Sequence, residues 1–130
     1  MSAAPARLPA ILVVEPQFVL RRTVVALARK LELAEVDEAT GTGTALALLK
    51  RKAFDALVLD LEDVEASFGL LRQLRDGEFP SRRDIAVCLT AAQPLGLPLQ
   101  DRAAALGATA CLPKPYRISQ LLDAIGLQAG

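Results

Sequence analysis

The sequence predicts an α/β domain in which a parallel sheet carries helices on both faces. Short, uniformly apolar runs alternate with segments whose apolar residues recur every three or four positions, and strand and helix alternate five times in this way. Uniformly apolar runs are typical of strands covered on both faces, and the longer spacing is typical of amphipathic helices. Because parallel neighbours need crossover connections, the alternation predicts a doubly wound sheet of five strands.

The first half of the chain supplies two strand and helix pairs. "AILVV" at 10–14 is too short for a helix and predicts a central strand, and the apolar spacing over 18–31 predicts the helix that follows. The weakly apolar stretch 34–39 predicts an edge strand. Thr42 or Thr44 is expected to cap a second helix that ends at the basic "KRK".

The second half supplies three more pairs. Strands are predicted at 55–60, 84–90 and 109–112. Helices are predicted at 68–75, 99–106 and 118–125. Gly107 is expected to close the second of these helices, because glycine readily takes the left-handed conformation that ends a helix.

Length and composition indicate one domain with an ample core, since 52% of the 130 residues are hydrophobic. We expect a disordered N-terminal arm at 1–9 and a single domain at 10–127. No apolar run approaches the length of a bilayer span or a signal-peptide core, which favours a cytoplasmic protein. Fifteen basic and fifteen acidic residues cancel, so nothing favours nucleic acid or a membrane surface as a partner.

Several classes of chemistry are excluded by the absence of histidine. Catalytic triads that use histidine and zinc sites of cysteine and histidine cannot form. Cys88 and Cys111 lie inside apolar runs, where a free thiol usually acts as a small hydrophobe, and no disulfide is expected.

Four polar residues stand where predicted strands end. Glu15, Asp60 and Thr90 end or follow apolar runs, and Lys114 comes just after "TACLP". In a doubly wound sheet the ligand site lies outside the carboxyl ends of the strands, so these side chains should converge. A carboxylate can attack phosphorus, acids can hold a divalent cation, and a hydroxyl with an ammonium can bind the transferred oxygens. The set is suited to phosphoryl transfer.

At these motifs the chain resembles the receiver domains of two-component response regulators, as in the stand-alone chemotaxis regulator. "ILVVEP", "DALVLD", "CLTA" and "LPKP" occur in the family's order and at about its intervals. The resemblance covers residues 10–127, and we expect no output domain. It implies a flavodoxin-like (βα)5 fold with strand order 2-1-3-4-5.

The resemblance also implies a function and roles for individual residues. Asp60 would accept a phosphoryl group from a histidine kinase or phosphotransfer protein, with magnesium as the cofactor. Thr90 and Lys114 would bind the phosphoryl group and switch the surface, and the bond between Lys114 and Pro115 is a cis-peptide candidate. The protein would be a single-domain response regulator in phosphorelay signalling, acting through protein contacts. It would be no enzyme beyond its own phosphotransfer and dephosphorylation, and it could form a homodimer.

Departures from the family pattern concentrate at this site. Pro16 stands where the family has its second acid, so we expect Glu15, Asp60 and Glu62 to rebuild a weakened magnesium site. The family's switch aromatic is replaced by Cys111.

Purely structural roles for the same residues remain open alternatives. Asp60 could merely cap the next segment, Thr90 could bond local backbone, and Glu15 could be a surface acid. Asp63 and Glu65 are expected to be solvated loop residues.

The alternative function is a pseudo-receiver that is not phosphorylated and serves as an interaction scaffold. A flavin-binding enzyme is disfavoured, because "EPQFVLRR" lacks the glycines of a phosphate-binding loop. Haloacid-dehalogenase chemistry would need a second aspartate where Glu62 stands.

Overall fold

The computed structural model describes residues 7–127, so most of the predicted N-terminal arm lies outside the described residues. Five strands alternate with five helices. The strands are β1 (Ala10–Val14), β2 (Glu35–Ala39), β3 (Ala56–Asp60), β4 (Ala86–Ala91) and β5 (Ala110–Pro113). The helices are α1 (Phe18–Lys30), α2 (Thr42–Arg51), α3 (Val64–Arg75), α4 (Leu97–Ala105) and α5 (Ile118–Ala124).

All four strand pairings are parallel, in the order β2-β1-β3-β4-β5. The predicted fold class and strand order are therefore confirmed. None of the five helices in the described part of the chain is long and apolar enough to cross a bilayer.

Two apolar cores lie on opposite faces of the sheet, because neighbouring side chains along a strand point to opposite sides. Leu57 and Leu59 of β3 pack with α2, α3 and α4, while Val58 packs with α1 and α5. The two free cysteines divide in the same way. Cys88 belongs to the core under α1 and α5, and Cys111 packs against the other, so their side chains lie on opposite faces.

Helix α3 begins earlier than predicted. Its first residue is Val64, and the Asp63 carboxylate caps it by accepting a hydrogen bond from the Ala66 N–H at 3.1 Å. Glu65 lies in the first turn, where a negative charge favours the helix dipole, and it pairs with Arg102 of α4 at 3.0 Å. Both side chains are exposed, as expected, and Asp63 lies just outside the helix as its N-cap. Glu65 lies inside α3, so the expectation that it is a loop residue was wrong.

The start of α2 also differs from the prediction. Gly41 occupies the N-cap position and no side chain caps the helix, so neither Thr42 nor Thr44 has that role. Gly107 does follow α4 with a φ of 68°, as predicted.

Arg75, at the end of α3, joins α3, α4 and the start of β4. Its guanidinium donates hydrogen bonds to four backbone carbonyls at 2.6 to 3.0 Å, those of Arg83, Ile85, Leu106 and Gly107. A planar group with five donors suits this arrangement, and lysine could not reproduce it. No sequence pattern indicated the contact.

Candidate functional site

The four strand-end residues meet at the carboxyl edge of the sheet. The Lys114 Nζ lies 2.7 Å from Glu15 Oε1 and 2.7 Å from Asp60 Oδ1. The Thr90 hydroxyl donates a hydrogen bond to the same Asp60 Oδ1 at 2.9 Å. One oxygen of Asp60 therefore contacts both a hydroxyl and an ammonium.

Strand register produces this convergence. Asp60 ends β3 and is paired directly with Thr90 of β4, which places their side chains on the same face. The Lys114 N–H donates to the Ala91 carbonyl at 2.8 Å, and this bond holds the segment after β5 beside the end of β4. The peptide bond between Lys114 and Pro115 is cis.

The charged groups of the site are buried. Glu15 is 2% exposed and Asp60 6%, while the Lys114 side chain is 12% exposed. Buried charges are tolerated when they are paired, and here one ammonium forms ion pairs with two carboxylates. Burial lowers the pKa of Lys114, but the hydrogen bonds and charges of Asp60 and Glu15 outweigh burial, and the net pKa is raised. Lys114 is therefore held as a cation.

The other carboxylate oxygens are also engaged. Asp60 Oδ2 accepts a hydrogen bond from the Glu62 N–H, and Glu15 Oε2 accepts one from the Gln17 N–H, each at 2.9 Å. The remaining oxygen, Glu15 Oε1, forms the ion pair with Lys114. Both acids are therefore oriented by local backbone as well as by the lysine.

Two buried polar side chains hydrogen-bond to the backbone of the acidic residues and hold it in place. The Ser67 hydroxyl of α3 donates to the Asp60 carbonyl at 2.9 Å, and the Arg21 guanidinium of α1 donates to the Glu15 carbonyl at 2.9 Å. Sequence reasoning missed both. In the sequence each is simply a polar residue within a helix, and that pattern does not show whether the side chain is buried or solvated.

The predicted magnesium ligands do not assemble. Glu62 is exposed and contacts Asp60 through its backbone N–H, and Pro16 has no side-chain oxygen. Within residues 7–127 no group of three acidic, cysteine or histidine side chains is placed to hold a metal ion. The arrangement does not fit a divalent cation held by Glu15, Asp60 and Glu62, because lysine occupies the space between the first two.

Cys111 is a half-buried core residue, and burial raises the pKa of its thiol. Its side chain is far smaller than the aromatic residue expected at this position. Nearby, Tyr116 is half-buried against the core under α1 and α5. Burial, and then the Glu15 charge, raise the pKa of the Tyr116 phenol, which places this ring near the acidic site.

A small cleft of about 110 Å³ gives access to Asp60. It opens between the ends of β1 and β3 and the starts of α2 and α3. Its lining includes Pro16, Thr40, Asp60, Glu62 and Ser67.

No protein-family model matches the sequence, and a search of curated proteins found no match. Solved structures do match. A response regulator from Thermotoga maritima is 27% identical, with a TM-score of 0.73 over 89% of this chain and 92% of its own. A CheY-like receiver domain protein from Methanospirillum hungatei JF-1 is 22% identical, with a TM-score of 0.76 over 91% of this chain and 90% of its own.

A third match carries ligands. A response regulator from Burkholderia pseudomallei, with a phosphorylated aspartic acid, calcium ion and citrate, is 23% identical, with a TM-score of 0.72. The alignment covers 90% of this chain and 66% of that one. Over about nine tenths of its length, this chain therefore resembles the receiver domains of response regulators, which confirms the resemblance inferred from its motifs.

Proposed function

We propose that this chain is a single-domain response regulator that accepts a phosphoryl group on Asp60 in two-component phosphorelay signalling. The observation that carries the proposal is the convergence of Thr90 and Lys114 on one oxygen of Asp60. Similarity in fold to response regulator receiver domains supports the same conclusion.

In the proposed transfer, an Asp60 carboxylate oxygen forms a bond to phosphorus. The bond from phosphorus to the donor atom breaks, and the donor group leaves with that electron pair. The donor is a phosphohistidine of a histidine kinase or phosphotransfer protein, since this chain has no histidine of its own. Thr90 and Lys114 then bind oxygens of the new phosphoryl group.

A change in these contacts is the proposed signal. Phosphorylation adds negative charge next to a hydroxyl and an ammonium that already contact Asp60. These side chains would move to contact the oxygens of the phosphoryl group. Lys114 follows β5 and the Thr90 strand precedes α4, so their movement would alter the surface formed by α4, β5 and α5. We propose that this surface binds a downstream protein in the cytoplasm and can pair two copies of the chain.

Intact-protein mass spectrometry tests the proposal. The protein is incubated with a small acyl phosphate, in separate samples with magnesium and with a chelator. Asp60→Asn serves as the matched control, since it keeps the size of the side chain and removes the nucleophile. We expect a phosphoryl adduct on the wild type and none on the variant.

The opposite result is equally clear. If the folded wild type gains no adduct in either sample, while a competent receiver is labelled in parallel, the phosphorylation proposal is wrong. The pseudo-receiver alternative, in which the fold serves as an interaction scaffold, would then replace it. Equal labelling of the wild type and Asp60→Asn would instead place the acceptor elsewhere.

A further inference from the structure

We propose that Lys114 takes the place of a divalent cation in this site, and that Pro16 is the reason the wild-type site does not bind magnesium. The proposal concerns the same residues as the proposed function. It makes a statement about metal binding, so it holds or fails independently of whether Asp60 accepts a phosphoryl group.

Charge balance is the first argument. The ammonium of Lys114 is equidistant from Glu15 Oε1 and Asp60 Oδ1, at 2.7 Å from each. At such distances one cation screens two buried carboxylates from each other, which is the electrostatic role that a metal ion would have. One net negative charge remains.

The second argument is that the carboxylate oxygens of Asp60 and Glu15 already have partners. Asp60 Oδ1 accepts a hydrogen bond from Thr90 and forms an ion pair with Lys114, and Asp60 Oδ2 accepts a hydrogen bond from the Glu62 N–H. Glu15 is engaged through both of its oxygens, by Lys114 and by the Gln17 N–H. To bind Asp60 Oδ1 or Glu15 Oε1, a cation would have to displace the Lys114 ammonium. Magnesium also gives up its hydration water reluctantly, so a site that offers few free oxygens binds it poorly.

The lining of the cleft is the third argument. Pro16 and Asp60 both line the cleft, while Glu15 is 2% exposed and points its oxygens at Lys114 and Gln17. Glu62 and Asp63 also line the cleft, but the Asp63 carboxylate caps α3, and no three acids within residues 7–127 are placed to hold a metal ion. A carboxylate at position 16 would add an oxygen ligand beside Asp60, whereas the side chain of proline has only carbon atoms.

The experiment compares the wild type with Pro16→Asp, which supplies the missing carboxylate in the cleft. Thermal unfolding is followed in chelator-treated protein with magnesium chloride or with potassium chloride of equal ionic strength. Tyrosine emission gives a second readout. Tyr116 is the only tyrosine, the chain has no tryptophan, and the ring lies near the acids.

We expect magnesium at about ten times a millimolar dissociation constant to raise the Tm of Pro16→Asp by roughly 5 °C. The wild type should show no shift beyond the potassium control and no change in tyrosine emission. The double variant Pro16→Asp/Lys114→Met tests the role of the ammonium, because the two oxygens that Lys114 contacts are then free and the magnesium-dependent rise in Tm should exceed that of Pro16→Asp alone.

Two results would overturn the proposal. A magnesium-dependent rise in the Tm of the wild type that disappears in Asp60→Asn would show that the site binds the ion despite Pro16. If the folded Pro16→Asp protein gains no magnesium response, Pro16 is not the cause. Neither result depends on phosphodonor labelling, so a failure of this inference is distinguishable from a failure of the proposed function.

Discussion

Replacing Lys114 with methionine should destabilise the protein strongly, because it leaves two buried carboxylates without a counter-ion. Glu15 Oε1 and Asp60 Oδ1 each lie 2.7 Å from the same Nζ, so they are no more than twice that distance apart. At about 5 Å and an effective dielectric constant of about 20, their repulsion is roughly 3 kcal/mol. Losses of this size, about 3 to 5 kcal/mol, are typical when one partner of a buried pair is removed.

A second substitution separates this repulsion from the loss of packing. Glu15→Gln removes one of the two charges, so the Glu15→Gln/Lys114→Met double variant should recover about 2 kcal/mol of the loss. Urea unfolding measures both the loss and its recovery.

Lys52→Met is the matched control for Lys114→Met. Lys52 forms an ion pair with Asp37 at 3.0 Å, but the two side chains are 42% and 36% exposed. An exposed pair contributes little, so this variant should lose less than about 1 kcal/mol. The reasoning is refuted if Lys114→Met loses no more than Lys52→Met, or if the double variant is no more stable than the single one.

Three further measurements test other parts of the structure. Arg75→Met should lower the free energy of unfolding by about 3 kcal/mol, since several charge-assisted hydrogen bonds are lost, whereas exposed Arg72→Met should change it little. Ser81→Ala should cost about 1 to 2 kcal/mol in urea unfolding, because the buried Phe54 N–H loses its acceptor at 2.8 Å; a neutral result would contradict this. Burial raises the pKa of Cys88 from 9.0 to about 12, so the stability that this thiol contributes below pH 9 is lost as the pH rises toward 12. By about pH 10.5 the wild type should therefore have lost roughly 2 kcal/mol more than Cys88→Ala, and parallel pH profiles would contradict the assignment.

Local patterns were sufficient for the fold and for the identity of the strand-end residues. Strand β1 is found at the predicted residues 10–14, and the sheet order follows the family resemblance. Hydrophobic periodicity records which face of each element is covered, and parallel strands place their carboxyl ends at one edge. The meeting of Asp60, Thr90 and Lys114 follows from those two facts.

Polar residues gave less reliable signals. Asp63 and Glu65 are predicted to be loop residues because loops commonly carry exposed charge, yet the first caps α3 and the second lies in its first turn. A helix start is solvated and favours acids, so it resembles a loop in composition. Arg75 gave no signal, since its partners are backbone carbonyls, which every residue carries.

The choice of ion pairs depended on three-dimensional distances. The residues alone allowed Glu15 to be a surface acid or a metal ligand, and the family resemblance implied that Lys114 binds the phosphoryl group. Folding buries Glu15 and places the Lys114 ammonium equally close to both acids. Electrostatic energy depends on separation and burial among groups far apart in the chain, and periodicity contains neither quantity.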